Sequence, residues 1–227
     1  METTLEVRTR TKKQLTATTG GLSAPGKMPG SGWSIPAQEC NVGSRLRKIK
    51  GSVCEGCYAL KFRYLFKNVK DALGRRLALW RLAQGDPIRR QEWRESMAES
   101  IRRDVERTGV AYFRWFDSGD LQGRDMLDDI IAVCRMTPAI KHWLPTRETG
   151  ILATVDLDEI PGNLVIRLSA AMVNGPRPAK WRWTSTVYSK PNKPTGRACP
   201  AYQQEGQCGD CRSCWDKRVV EISYPKH

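Results

Sequence analysis

Apolar positions recur along this chain in two rhythms, and the alternation between them indicates the fold class. Leu60, Tyr64, Phe66, Val69, Leu73, Leu77 and Trp80 return at intervals near three and four, with Lys and Arg between them. That spacing predicts an amphipathic helix from Tyr58 to Arg81 whose aromatics belong to the core. Asp86-Pro87 then reads as a helix start, an acceptor at the N-cap followed by Pro at the first helical position. Trp93, Met97, Ile101 and Val105 form a stripe behind it, and Gly109 ends it. The rhythm changes at Val110-Ala-Tyr-Phe-Arg-Trp-Phe116, a β-rich run that predicts a buried strand. Leu127, Ile130, Ile131 and Cys134 share one face of a helix from about Arg124 to Arg135, which makes Cys134 a buried apolar residue and not a ligand. Lys141–Leu144, Leu164–Ser169 and Thr184–Tyr188 are further strands.

Strand, helix, strand is the βαβ pattern of an α/β fold, either a parallel sheet or a partial (βα) barrel. Such folds place their sites at the carboxyl ends of the strands. Asp117, Ser118, Asp120, Thr146, Arg147 and Ser169 all fall at predicted strand ends. Residues 1–20 are polar and Thr-rich, which suggests a frayed end or a short lead-in strand. The glycines and prolines of residues 20–36 predict a loop with several turns. His142 and His227 are the only histidines, and His142 stands at a strand entry, where a structural role is expected. There is no Ser/His/Asp signature, no phosphate-binding glycine loop and no internal repeat.

At 227 residues one domain is expected, with residues 1–198 as the α/β body and 199–227 as a segment packed on it. No apolar run approaches the roughly 20 residues of a membrane span, and the N-terminus lacks a signal-peptide core. Both features lead to the expectation of a cytoplasmic protein. The net charge of +14 adds an attraction to nucleic acid or another polyanion. The basic loop Arg45–Lys50 is either a solvated flap or a receiver of phosphate. Trp181-Arg182-Trp183 is either base-stacking or the packing of a strand edge.

The cysteines carry the chemistry. Cytoplasmic disulfides are rare, so eight cysteines mostly in C-x2-C spacing predict metal ligation. Cys54 and Cys57 share one tight loop, and Cys40 precedes them across residues 41–53. Three thiolates leave a fourth position open, as a ligand-binding or catalytic centre requires. Cys199, Cys208, Cys211 and Cys214 make a second set whose C-x2-C-x2-C spacing suits a [4Fe–4S] cluster. One or two such clusters are expected. Zinc is the alternative, as is a single centre that combines Cys54 and Cys57 with the C-terminal thiols. Clusters that only staple the fold of a structural or host-takeover protein would use the same residues.

Several stretches together resemble the phage gene product 88 family: Gly26-Lys-Met-Pro29, Ser34-Ile-Pro-Ala37, the Cys40…Cys54-x2-Cys57-Tyr-Ala unit, Ser118-Gly-Asp-Leu121 and the Cys-Pro…Cys-x2-Cys-x2-Cys-Trp element. The resemblance runs from about residue 20 onward. It implies a bacteriophage origin, hence the host cytoplasm, and an iron–sulfur protein allied to the radical-SAM barrels. The family brings no settled activity with it. From the radical-SAM proteins it would follow that the open iron takes S-adenosylmethionine, with Ser118, Gly119, Asp120, Arg147 and Ser169 around it and Asp120 on the ligand amine. The chemistry implied is that of an iron–sulfur oxidoreductase. The loop 41–53 between the first two thiols departs from the short spacing of those enzymes, and Ser118-Gly-Asp-Leu121 matches their glycine-rich strand end only in part.

Overall fold

The computed structural model describes residues 7–226; His227 and residues 1–6 lie outside them. Seven parallel strands form one sheet in the order β1-β2-β3-β4-β5-β7-β6. They are β1 (Gly32–Trp33), β2 (Tyr112–Trp115), β3 (Lys141–Thr146), β4 (Leu164–Val173), β5 (Thr184–Tyr188), β6 (Arg197–Ala198) and β7 (Glu221–Pro225). The sheet does not close: β1 and β6 are its edges. The mixed α/β class follows the expected rhythm, and of the two expected forms the strands make an open parallel sheet. The helices that flank the sheet include α1 (Lys12–Thr19), α2 (Asn41–Leu46), α3 (Lys67–Gln84), α4 (Pro87–Thr108), α5 (Arg124–Met136) and α6 (Thr149–Leu152).

The helix signals act as their chemistry requires. The Asp86 carboxylate accepts from Ile88 N at 2.8 Å, Pro87 occupies the first helical position, and Gly109 closes α4 at φ 71°. Trp93, Met97, Ala98 and Ile101 of α4 join Leu77 and Trp80 of α3, Leu127 and Ile130 of α5, and Phe113, Trp115 and Leu144 of the sheet in the main core. Asp129, fully buried on α5, ties the helices together. It accepts from Trp80 Nε1 at 2.8 Å, Gln84 Nε2 at 3.0 Å, and Arg90 Nε and Arg94 Nε at 2.7 Å each. Cys134 is buried in this core, as its helical face required.

A smaller cluster of Trp143, Ile222, Cys214 and Trp215, with Met28, Tyr112, Cys199 and Tyr224 around it, joins the sheet to the C-terminal cysteine element. The Trp215 ring meets those of Tyr112 and Trp143 edge-on at 5.5 and 5.3 Å. Its Nε1 donates to the Phe113 carbonyl at 2.8 Å. Residues 199–226 also contribute β7, which lies between β5 and β6.

Three local expectations need correction. Residues 12–19 form α1, neither a frayed end nor a strand. A reciprocal Thr11–Gln14 capping box starts this helix, and Leu15 is buried beneath it. The predicted helix over 58–81 begins only at Lys67; residues 58–65 form two 3-10 turns, with Phe62 at φ 49°. Tyr64 donates to the Asp117 carboxylate at 2.6 Å and Tyr58 to the Asp117 carbonyl, and these long-range bonds override a helical pattern. Third, the loop 20–36 contains β1, where fully buried Trp33 packs on Trp93 and Trp115.

His142 is structural. It is fully buried, its Nε2 lies 2.9 Å from Thr137 Oγ1, and burial pushes its pKa down to about 3. Trp181 donates to the Ile166 carbonyl and Trp183 to that of Lys217, so both are tied to the core, Trp183 buried in it and Trp181 packed half-buried against it. Among the described residues no helix is long and apolar enough to cross a membrane.

Candidate metal centre

The carboxyl edge is assembled by a clasp between residues 33–35 and 116–119. Phe116 N donates to the Trp33 carbonyl at 2.8 Å and Ile35 N to the Ser118 carbonyl at 3.2 Å. Asp117 N donates to Ser34 Oγ at 3.0 Å, while the Ser34 hydroxyl donates to the Asp117 carboxylate. Gly119 is required here. It sits at φ 82°, and a Cβ on it would lie 2.3 Å from Ile35 Cγ1 and 2.7 Å from the Ile35 carbonyl oxygen. Two motifs far apart in sequence, Ser34-Ile35 and Ser118-Gly119-Asp120, are thus one unit.

Asp120, buried behind this clasp, joins β2 to β3. Its Oδ1 accepts from Thr146 Oγ1 at 2.6 Å and from Leu121 N at 2.8 Å, and its Oδ2 from Arg147 N at 2.9 Å. Burial raises its pKa to about 6 against the opposing pull of these donors. Ser118 Oγ and Arg147 Nε are buried without partners. Ser169 lies on β4 next to Leu168, which pairs with Thr146, and accepts from Ser185 Oγ at 3.0 Å.

Glu148, which the sequence did not single out, places the first thiol. Its Oε1 accepts from Val42 N at 2.9 Å, holding the start of α2 beside Cys40. Gly43 lies between two of the sulfurs: a Cβ built there would lie 3.6 Å from Cys40 Sγ and 3.7 Å from Cys54 Sγ. The Cys54 loop is fastened to the far end of β4. Val53 N donates to the Ala171 carbonyl at 2.8 Å and Val173 N to that of Gly51 at 2.9 Å, while Cys57 N closes the turn on the Cys54 carbonyl. Burial pushes the Cys40 thiol up to about 12, reinforced by Asp120 and by the Cys57 and Cys54 charges. Burial also raises Cys54, and the Arg147 guanidinium opposes it. Cys40, Cys54 and Cys57 therefore share one neighbourhood with Asp120 and Arg147.

The second set gathers on the sheet face. Cys199 N donates to the Ser223 carbonyl at 2.9 Å, Cys208 N to that of Lys27 at 3.0 Å, and Cys211 N to that of Cys208 at 3.0 Å. The Gly26–Pro29 stretch is thereby tied to the C-terminal cysteines. Arg167, fully buried on β4, donates to the carbonyls of Cys214, Ser213 and Asp216 at 2.9–3.1 Å and so shapes the last turn. Cys214 Sγ lies 3.2 Å from Tyr224 Oη, and burial pushes this thiol up to about 12. Arg114 lies over the Trp143 ring at 4.5 Å with Nε unpartnered, and its charge acts on Cys208 and Cys214. The only sequence signal for either arginine is a cation inside an apolar strand pattern, which calls for a buried partner without saying which.

All eight cysteines are free, which excludes a cystine framework among them. Among the described residues no three His, Cys, Asp or Glu side chains are already drawn together as a site for one metal ion.

Fold and site define the class: a mixed α/β protein with an open parallel sheet, Cys40, Cys54 and Cys57 in the loops beyond its carboxyl edge, and a C-terminal cysteine element whose Cys199 and Cys214 pack against the sheet. The chain belongs to the phage gene product 88 family, whose family model matches residues 4–217. No curated protein and no solved structure matches it.

Proposed function

We propose that this phage protein is an iron–sulfur protein of radical-SAM-like build, with Cys40, Cys54 and Cys57 holding one cluster and Cys199, Cys208, Cys211 and Cys214 a second. The observation that carries this reading is the meeting of Cys40 and Cys54 beside Gly43, at the carboxyl edge of a parallel sheet and within reach of the Arg147 charge. Cys40, Cys54 and Cys57 would hold a cluster there that supplies one-electron chemistry, with only three protein ligands to share it with a small molecule. Strands β1 to β5 lie side by side in chain order, and that order supports the barrel-like reading.

The surrounding groups suit an anionic centre. Four thiolates around either Zn²⁺ or a [4Fe–4S]²⁺ core leave net negative charge, and a buried cation is stable only beside such charge. Arg114 and Arg167 meet that need on the C-terminal side and Arg147 on the other. S-adenosylmethionine fits as the ligand of the open iron, with Ser118, Gly119, Asp120, Arg147 and Ser169 as the candidate contacts. Asp120 already accepts three protein donors, so its part is to hold the β2 and β3 ends together. The unpartnered Arg147 Nε and Ser118 Oγ are the groups left to meet a ligand carboxylate. With a cluster bound, this site would supply one-electron oxidoreductase chemistry.

Zinc is the competing reading. Four thiolates of the C-terminal set, or Cys54 and Cys57 together with C-terminal thiols, could instead hold one Zn²⁺ tetrahedrally. Protein made and purified without oxygen tests the choice. Iron, acid-labile sulfide and a broad visible absorption that bleaches on reduction are expected. Colourless protein with stoichiometric zinc overturns the proposal. Adding S-adenosylmethionine should change the EPR spectrum of the reduced cluster; an unchanged spectrum removes that ligand and leaves the clusters standing.

A further inference from the structure

The run Tyr58–Lys70 contains no acidic residue and interleaves Tyr58, Phe62, Tyr64 and Phe66 with Lys61, Arg63, Lys67 and Lys70. Helical spacing would bury these rings, but they stand outside the core. Phe62 is 78% exposed, Phe66 60% and Leu65 53%. Phe62 is also held at φ 49°, a left-handed conformation that a ring disfavours. An exposed aromatic in a costly backbone state has neither burial nor local preference to account for it, and such positions cluster at functional sites. The segment is also anchored, since Tyr58 and Tyr64 both donate to Asp117 and their rings meet edge-on at 5.8 Å. The rings are therefore presented on a fixed support, which lowers the ordering cost of binding.

A second basic stretch, with Arg45, Lys48, Ile49 and Lys50 exposed, occupies the loop between Cys40 and Cys54. Arg47 in it acts on the Cys40 and Cys54 thiols, and Lys61 Nζ lies 3.5 Å from the position of a Cβ on Gly56. Both basic stretches thus flank the three-cysteine loop.

We infer that Tyr58–Lys70, with Arg45–Lys50 beside it, is a binding surface for single-stranded nucleic acid. Phe62 and Phe66 would stack unpaired bases, and Lys61, Arg63, Lys67, Lys70 and the second loop would track the phosphates. Duplex bases are already stacked and cannot offer their faces. A membrane surface calls for a longer amphipathic helix, and these residues form short 3-10 turns and the start of α3. This inference does not depend on which metal the thiols hold.

The test is fluorescence anisotropy with the full chain, as isolated with its metal, and labelled oligonucleotides of about twenty residues in DNA and RNA form, starting at about 50 mM salt. Phe62→Ala/Phe66→Ala should weaken binding about tenfold or more without changing metal content, because stacking contributes with little regard to salt. Lys61→Gln/Arg63→Gln/Lys70→Gln should lower the slope of log affinity against log salt by about 2, at roughly 0.7 per phosphate contact on a single strand. No binding at the lowest salt overturns the inference, as does equal affinity of the double ring variant. Equal affinity for a duplex of the same length, for poly-glutamate or for anionic phosphatidylserine vesicles also overturns it, because each would reduce the surface to unspecific charge or give it another partner. A preference for the DNA or the RNA strand identifies the nucleic acid.

Discussion

Arg167 donates from Nε to the carbonyl of Cys214 at 3.1 Å, from a strand position with no exposure to solvent. The same guanidinium reaches the carbonyls of Ser213 and Asp216, so one β4 side chain fixes the backbone around the last cysteine. The interaction places a permanent charge beside a thiol. It also makes the conformation of the C-terminal element depend on the middle of the sheet.

Replacing Arg167 by Met keeps the stem but leaves those carbonyls without donors. Unpaired buried acceptors cost about 1–3 kcal/mol each where no water replaces the donor. We expect a loss of about 2–4 kcal/mol in urea unfolding, together with loss of the C-terminal metal while the N-terminal metal stays. Metal content per chain and the urea midpoint measure the two effects. Full metal retention would show that the turn holds its shape without Arg167.

Gly43→Ala separates folding from metal binding at the other centre. The new methyl would stand 3.6 and 3.7 Å from the two sulfurs, which is ordinary contact, and 3.0 Å from Cys40 Cβ, which needs a small shift. Alanine also favours the helix by about 1 kcal/mol. The metal-free protein should unfold at an unchanged or higher midpoint, while iron at the N-terminal site falls below half. Unchanged iron would place the cluster away from Gly43.

Asp129→Ala removes the shared acceptor of Trp80, Gln84, Arg90 and Arg94 and leaves two guanidiniums facing a buried void. Breaking a buried pair in this way costs about 3–5 kcal/mol. Calorimetry should show a large fall in Tm, greater than for any single substitution among the exposed cations of α3.

His142 should make the fold acid-labile. Burial lowers its pKa from 6.5 to about 3, so the folded chain holds the neutral ring while the unfolded chain takes up a proton. The corresponding stability is complete above pH 6.5 and is lost as pH falls toward 3. At about 1.4 kcal/mol per unit, the loss near pH 5 is about 2 kcal/mol. His142→Asn should remove that part of the pH dependence. The comparison is the difference between variant and wild-type unfolding free energies at pH 7.5 and at pH 5; a difference that stays constant would mean that the ring is not neutral by burial.

Local sequence determined much of this protein. Asp86-Pro87 and Gly109 bound α4 because capping is a short-range interaction, and the alternating runs of strands and helices set the α/β class. The spacing of the cysteines separated the two thiol sets from Cys134, whose place on an apolar helical face marked it as core. Tertiary structure alone decided other features. The two-residue strand β1 is too short for any periodicity, and it exists because Trp33 packs on Trp93 and Trp115. Whether the sheet closes depends on edge pairing across the whole molecule, to which a single strand is blind. Leu60, Tyr64 and Phe66 carry a helical rhythm that the tertiary fold cancels, because the Tyr58 and Tyr64 hydroxyls find Asp117 far along the chain. Glu148 became legible as part of the site only once folding had brought its carboxylate to the Val42 amide beside Cys40, and Arg114 and Arg167 once their charges lay near Cys214, remote in sequence, where low polarity makes a single charge matter most.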